Sequence, residues 1–518
     1  MGERLRLADL LGGLSIATDL GFGLPPEEAM RSCLLATALA RRVGLTEAEV
    51  SDAFYTALLG HVGCPALSHE TAAVFGDERR VTAAAAAVHL ADPAEIAAGL
   101  VPALLEGVPS ADRGRVARYV AEHGTEFGRM YDTGSCEVAR ATARRLGLGA
   151  GVERALHEIG EWWNGGGAPQ GLRGDDIAVV ARIAQVAADA ARLDHLRGPD
   201  AAVAALRRRA GGVLDPGIVG ALVADGTRML AGSRAGDPRT RMLEVEPTPH
   251  REYPRARLPA IAAAFGDLAD LKTPFTHGHS AAVARLSRAA GERIGLDPAA
   301  VASLEVAAHL HDLGRLAVSN VVWEKPGRLT GGEWEQVRMH AYHSERILAT
   351  SEALAPLARL AGMHHERLDG SGYHRGCGAR DLPVAARVLA AADACAAMTQ
   401  DRPHRPALGA EAAADALAGE ARAGRLDHDA VTGVLDALAD RPPRRGRRPG
   451  PGGLSAREVE VVRLVAAGCS NAAIAERLVI SRRTAEHHVQ HVYGKLGVSS
   501  RAAVALFAHE HDLLATAV

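Results

Sequence analysis

The sequence predicts an all-α protein built from several compact units, and three observations predict it. Alanine, leucine and arginine dominate, and these residues lose little free energy in helices. Aromatic residues make up only 3% of the chain, few for a β-rich protein. The 518 residues allow three or four units at about 100–200 residues per domain.

The composition also excludes. With 47% hydrophobic and 23% charged residues, the chain is globular, so collagen-like, disordered and disulfide-stapled classes fall away. Lys+Arg is 59 against Asp+Glu 62, a formal charge of −3, so any nucleic-acid partner must be met by a local surface. The six cysteines are scattered without a CxxC pair, as expected of reduced thiols. The opening MGERLRLADLLGGLS has no charged region followed by an apolar one, and no apolar run approaches the roughly 20 residues that span a bilayer. The expectation is a cytoplasmic protein with no membrane partner.

From the N-terminus, the first 440 residues read as two halves that copy each other. EAMRSCLLATALARRVGL (28–45) resembles HSAAVARLSRAAGERIGL (279–296), and GEWWNGGGAPQG (160–171) lines up with HERLDGSGYHRG (365–376). VARI (180–183) and AARV (385–388) follow at the same offset, and GVLDPGIV (212–219) echoes GRLDHDAV (424–431). Four matches in one order argue for a duplication, with an extra stretch in the first copy around 75–110. A Pro- and charge-rich stretch at 233–256 separates the halves, giving expected domains at 1–235 and 257–440.

Only the second half carries a ligand set. Between 270 and 410 lie His279 at the start of a helix, His311-Asp312 at the end of another, and His340 on the helix after a Thr-Gly-Gly-Glu start. His364-His365 and Asp393 follow. Imidazole and carboxylate without thiolate suit Fe, Mn, Zn or Co and argue against a closed structural zinc site. The first copy pairs these positions with Glu28, Gly60-His61, Ile159-Gly160 and Ala188 (beside Asp189), and His123 is the expected partner of His340. Glycine and isoleucine coordinate nothing, so the first copy is read as a degenerate domain. Its Trp162-Trp163 pair is read as buried packing rather than a stacking platform.

Residues 441–453, RPPRRGRRPGPGG, hold five arginines, four prolines and four glycines and no apolar side chain, hence a linker. Beyond it, 454–518 reads as four helices. Ser455-x-x-Glu458 is a capping box, Ser470 caps a second helix, and Ile480-Ser481 turns into a third. That third helix shows Arg482, Arg483, Glu486, His487, Gln490 and Lys495 opposite its apolar face, the pattern of a helix laid in a DNA major groove.

Two resemblances follow from these segments. FTHGHS, HLHDLGRL, WEKPGRLTGGEWEQVRMH, HHERLDGSGYHRG, LPVAARVLAAADACAAMT and RPHRPAL resemble, in order, the HD-GYP phosphodiesterases. That resemblance implies two tandem HD-type helical domains, the first degenerate, and hydrolysis of cyclic di-GMP or a related phosphoester. It also implies two divalent transition-metal ions held by His279, His311, Asp312, His340, His364, His365 and Asp393, with Asp312 bridging and catalytic. Arg315, where the family carries lysine, would act in catalysis and, with Gly372 and Tyr373, bind substrate. The family's Gly-Tyr-Pro is here Gly372-Tyr373-His374, which is expected to free that loop's backbone. Phe275 occupies the position at which some members place a glutamate for a third ion. These departures leave a second reading, an inactive HD scaffold or ligand sensor.

The tail closely resembles the LuxR-type helix-turn-helix. This implies a transcription regulator that binds double-stranded DNA as a homodimer, with base contacts from Glu486, His487 and Gln490 and phosphate contacts from Ser470, Arg483, Thr484 and Lys495. The tail's charge is nearly balanced, so the arginine linker is expected to add phosphate attraction.

Overall fold

In a computed structural model of the chain, residues 4–225, 227–439 and 451–514 are described. Their regular secondary structure is almost wholly helical, as the composition predicts. They divide into two compact units, 1–255 with 351–353, and 256–350 with 354–518. The linker expected at 441–453 lies largely outside the described residues.

The first unit opens with β1 (Arg4–Arg6), α1 (Leu7–Phe22), α2 (Glu28–Arg42) and α3 (Glu47–Leu58). It continues through α4 (Arg113–Arg145), α5 (Val179–Arg197), α6 (Pro216–Ala224), α7 (Pro238–Val245) and β2 (Glu252–Pro254). Its core is apolar, with Leu7, Leu10, Leu35, Leu39, Phe54 and Leu58 buried. The stretch read as a boundary at 233–256 is ordered within this unit. Met242 is buried, Glu246 accepts from the Tyr55 hydroxyl at 2.6 Å, and β2 pairs antiparallel with β1, Leu5 opposite Tyr253. Pro238 starts α7 and Pro254 ends β2, while Pro247 and Pro249 lie in the irregular chain between them.

The second unit contains α8 (Leu258–Asp270), α9 (His279–Arg293), α10 (Pro298–Leu310), α11 (Gly331–Ala349), α12 (Ala355–Gly362), α13 (Val384–Met398) and α14 (His428–Ala439). Val283, Leu304, Val388, Leu389 and Val434 form one core in which α9 packs on α10, α13 and α14. Asp297 caps α10, and Thr330 with Glu333 forms a capping box on α11.

The duplication is legible bond by bond. Asp19 accepts from the amide of Ala29, and Asp270 from that of Ser280, ten residues on in each case. The residue before α2, Glu27, and that before α9, Gly278, share a left-handed φ of 74°. Glu161 gathers the amides of Gln170 and Leu172, and Glu366 those of Arg375 and Cys377, at the same offsets. Arg182 pairs with the helix-capping Asp215 at 2.6 Å, and Arg387 with the helix-capping Asp427 at 3.0 Å.

The chain closes with α15 (Ala456–Ala466), α16 (Asn471–Leu478), α17 (Arg482–Leu496) and α18 (Arg501–Glu510). Ser455, Ser470, Ser481 and Ser500 each cap a helix by accepting from a backbone amide three residues on. Buried Val461, Val462, Ile474, Val489, Val492 and Val504 hold the four together. Among the described residues, no helix is long and apolar enough to cross a membrane.

Candidate metal centre and nucleic-acid interface

The seven residues read as ligands come from five stretches of chain, and the structure brings all seven together. His279 starts α9, His311-Asp312 follow α10, His340 lies on α11, His364-His365 follow α12, and Asp393 lies on α13. All are buried except His365, which is partly so. Two groups of donor atoms result, His279/His311/Asp312 and His340/His364/His365, each with its atoms within 4.8 Å of one another.

Asp312 stands between the groups. Its Oδ2 lies 3.6 Å from His279 Nε2 and 3.4 Å from His311 Nε2, while Oδ1 lies 3.3 Å from His340 Nε2 and 3.6 Å from His364 Nε2. Asp393 spans them too, with Oδ1 3.2 Å from His279 Nε2 and Oδ2 3.7 Å from His365 Nδ1.

The backs of the rings are tied down. His311 Nδ1 contacts the Ala308 carbonyl and His364 Nδ1 the Ala361 carbonyl, each at 2.7 Å, and His340 Nδ1 contacts that of Val337. A carbonyl can only accept, so each Nδ1 carries a proton and each Nε2 faces inward. His279 Nδ1 does the same to Gln400 Oε1 at 2.9 Å, an oxygen that Arg402 also approaches at 3.4 Å. Burial and neighbouring imidazoles push His364 down to about 3 and His365 well below the usual histidine range, which keeps both neutral. Burial works to raise the Asp312 carboxyl, but Arg315 and His311 hold it well below the usual carboxylate range. His311 Nε2 and Asp312 Oδ1 are buried without a hydrogen bond. Burial opposes charge on His311, but the Asp312 and Asp393 carboxylates push it up to about 10. Imidazoles and ionised carboxylates converging with buried atoms left over, the His311 ring holding a proton that a cation would displace, fit divalent transition metals.

Arg315 donates to Asp312 Oδ2 at 2.7 Å and lies 4.2 Å over the Trp323 ring. Tyr373 stacks on His365 at 4.7 Å. The loop carrying it is not freed by the loss of proline. Glu366 accepts two of its amides, Tyr373 N donates to the His365 carbonyl, and Glu345 approaches both His374 and Arg375. Gly372 has a packing reason, since a Cβ there would sit 2.4 Å from Glu366 Cα. Gln400 and Arg402 were missed by sequence reasoning, because neither residue type is a metal ligand and only the fold brings them behind His279. Burial, and then the nearby Arg315 charge, push Arg402 down to about 10.

The first copy has no comparable centre among the described residues. The partner of His340 is Ser135 rather than His123. A Cβ on Gly63 would meet the Ser135 carbonyl oxygen at 1.9 Å, as one on Gly314 would meet that of His340 at 2.0 Å. His123 sits half-exposed on α4 beside Glu122 and Glu126. His61 faces Asp19 at 3.3 Å, and Asp189 is held by Arg192 and Arg209. Trp163 packs under the Arg182 guanidinium.

In the tail, Arg483, Thr484, His487 and Gln490 are exposed on α17, Glu486 is partly so, and Ser470 caps α16 at the surface. Lys495 is exposed as well, and its ammonium pairs with Glu458 at 2.6 Å.

With this geometry in place, comparison with known proteins is decisive at the domain level. Residues 263–430 match the family model for the HD domain, and 453–508 match that for bacterial regulatory proteins of the luxR family. The chain joins an HD domain to a LuxR-type domain. It is 29% identical over 416 residues to the 3′3′-cGAMP-specific phosphodiesterase 3 of Vibrio cholerae, covering 78% of this chain and 88% of that protein. It is 36% identical over 140 residues to a cyclic di-GMP phosphodiesterase of Thermotoga maritima, covering 27% of this chain and 38% of that protein. A crystal structure of a cyclic GMP-AMP specific phosphodiesterase of Vibrio cholerae aligns with a TM-score of 0.58 at 26% identity. That alignment covers 85% of this chain and 99% of the other, too much to be the HD domain alone.

Proposed function

We propose that the chain is a DNA-binding regulator whose HD domain is a two-metal phosphodiesterase for cyclic dinucleotides. The observation that carries this reading is Asp312, which offers one oxygen to each of two histidine groups. His279 and His311 would hold one ion, His340, His364 and His365 the other, and Asp312 and Asp393 would touch both. Paired divalent ions acidify a water and stabilise the attacking and leaving oxygens of a phosphodiester displacement. The protein supplies the rest. Arg315, charged and braced by Asp312 and Trp323, meets a phosphate oxygen. Tyr373, backed by His365, borders the site and lies against the nucleotide. Arg402 adds positive charge behind His279.

The relatives act on cyclic di-GMP and on 3′3′-cGAMP, and either fits a site that grips a phosphodiester linkage. The LuxR-type domain supplies the second function, reading double-stranded DNA through α17, with two chains pairing on the site. A first unit that runs to 255, an HD unit up to 440 and a tail at 454–518 beyond the arginine linker, in the cytoplasm, complete the proposal. The test is hydrolysis of both cyclic dinucleotides by metal-loaded protein. Turnover that vanishes in the His311→Ala/Asp312→Ala double variant supports the reading. Turnover that survives removes the site, and no turnover by metal-loaded wild type leaves the scaffold reading.

A further inference from the structure

The LuxR-type unit packs on the HD domain at the segment that presents the first ligand. His277, two residues before His279, directs Nδ1 at the Ala466 carbonyl at the end of α15. Gly468 lies so close to Pro274 that a Cβ would sit 2.2 Å from its Cβ, and a Cβ on Gly278 would sit 2.7 Å from Leu514. His509 on α18 approaches Asp267 Oδ1 at 3.0 Å. His277, Gly278, His509 and Leu514 border a small cleft with Asp267, Asp270 and Ala505 on its walls.

This contact crowds one side of the DNA-reading surface. Ser470, assigned to a DNA phosphate, lies two residues beyond Gly468, so roughly 7 Å of chain at most separates it from the residue pressed on Pro274. Carboxylates stand on the HD side of that junction. Asp401 acts electrostatically on the Cys469 thiol, and Asp267 faces α18. A phosphate strand resting on the start of α16 would meet both the bulk of the Pro274 segment and like charge. Arg483, Thr484, His487 and Gln490 on α17, by contrast, stay open to solvent.

We propose that this docking is an autoinhibitory contact: the HD domain holds the LuxR-type unit in a state that binds DNA weakly, and DNA binding requires it to swing free. The inference rests on the DNA-binding reading above. Holding the docked state tenfold over the free one takes only about 1.4 kcal/mol. A few interdomain contacts suffice for that. Because the docked segment ends in His279, DNA binding and the order of that segment become linked, each biasing the other.

The test compares the full-length protein with a His509→Ala/Leu514→Asp double variant. Neither residue belongs to the ligand set or to the DNA-reading face. Hydrogen exchange of 273–278 reads the docking, and fluorescence anisotropy with a 30-base-pair mixed-sequence duplex at low salt reads DNA affinity. Faster exchange in the variant together with about tenfold tighter DNA binding supports the proposal. In the wild type, added duplex should also speed exchange at 273–278, a check that needs no variant. Unchanged DNA affinity despite lost protection overturns the inhibition, and unchanged protection overturns the contact. Equal, measurable binding by both proteins sinks only this inference. No binding by either sinks the DNA-binding reading beneath it as well.

Discussion

Gly314→Ala should dismantle half of the metal centre without touching a ligand. The added Cβ would sit 2.0 Å from the His340 carbonyl oxygen and 2.6 Å from the Ser344 amide nitrogen, where ordinary contact begins at 3.4 Å. Both are backbone atoms of α11 that cannot rotate away, so the helix must retreat by the difference, 3.4 − 2.0, about 1.4 Å. His340 Nε2, now 3.3 Å from Asp312 Oδ1, retreats with it. Overpacking of this kind costs about 1–3 kcal/mol of stability. A misplacement near 1 Å costs roughly 100-fold in rate. The sharper readout is stoichiometry, because the His340/His364/His365 group should lose its ion while His279/His311/Asp312 keeps the other. The duplication supplies the control. Gly63→Ala makes the same collision, 1.9 Å from the Ser135 carbonyl oxygen, in a copy without ligands. It should lower the melting temperature comparably and leave metal content and hydrolysis unchanged. Elemental analysis, thermal melting and turnover on both variants settle the matter. A Gly314→Ala protein with full metal and full activity would refute the reasoning.

Other outcomes follow from the same geometry. Arg315→Ala should retain metal yet lose about 100-fold or more in turnover, as expected for a positioned phosphate-stabilising charge, measured against wild type at equal metal loading. Glu28, buried at the His279 position of the first copy, is pushed up to about 7 by burial. Its folded value exceeds its unfolded one, so its proton favours the folded state at low pH. Stability should fall as pH rises from about 4.5 to about 7, by at most about 3 kcal/mol. Urea melts of Glu28→Gln, set beside wild type at pH 5 and pH 8, should show a flatter dependence. Gln490→Ala should change preference at one base step by about 1–3 kcal/mol. Lys495→Ala should leave preference intact but destabilise the tail, since it strips the partner of Glu458, whose carboxyl is held down at about 2 chiefly by that lysine.

What the sequence could reveal depended on whether a residue's chemistry was declared by its type. The histidines and aspartates were legible because few other side chains bind transition metals, and their order fixed their grouping. The serine caps of the tail were legible because a cap is a local bond. Gln400 was not, since a glutamine behind a histidine becomes meaningful only when α13 and its following loop close over α9. The His340 counterpart was misplaced at His123 because identity was sought where only position persists. Ser135 has no chemistry in common with histidine, and its equivalence rests on a glycine pressing on its carbonyl. Glu161 and Glu366 show the reverse case. Glu366 is almost fully buried and organises the loop by accepting its amides.

The central claim is that two ions share one buried site built around Asp312. Metal analysis of anaerobically purified protein tests it most directly, run on wild type and on Asp312→Ala. The account predicts two divalent transition-metal ions per chain in the wild type and loss of both in the variant. One ion in the wild type, or two that persist without Asp312, would contradict it.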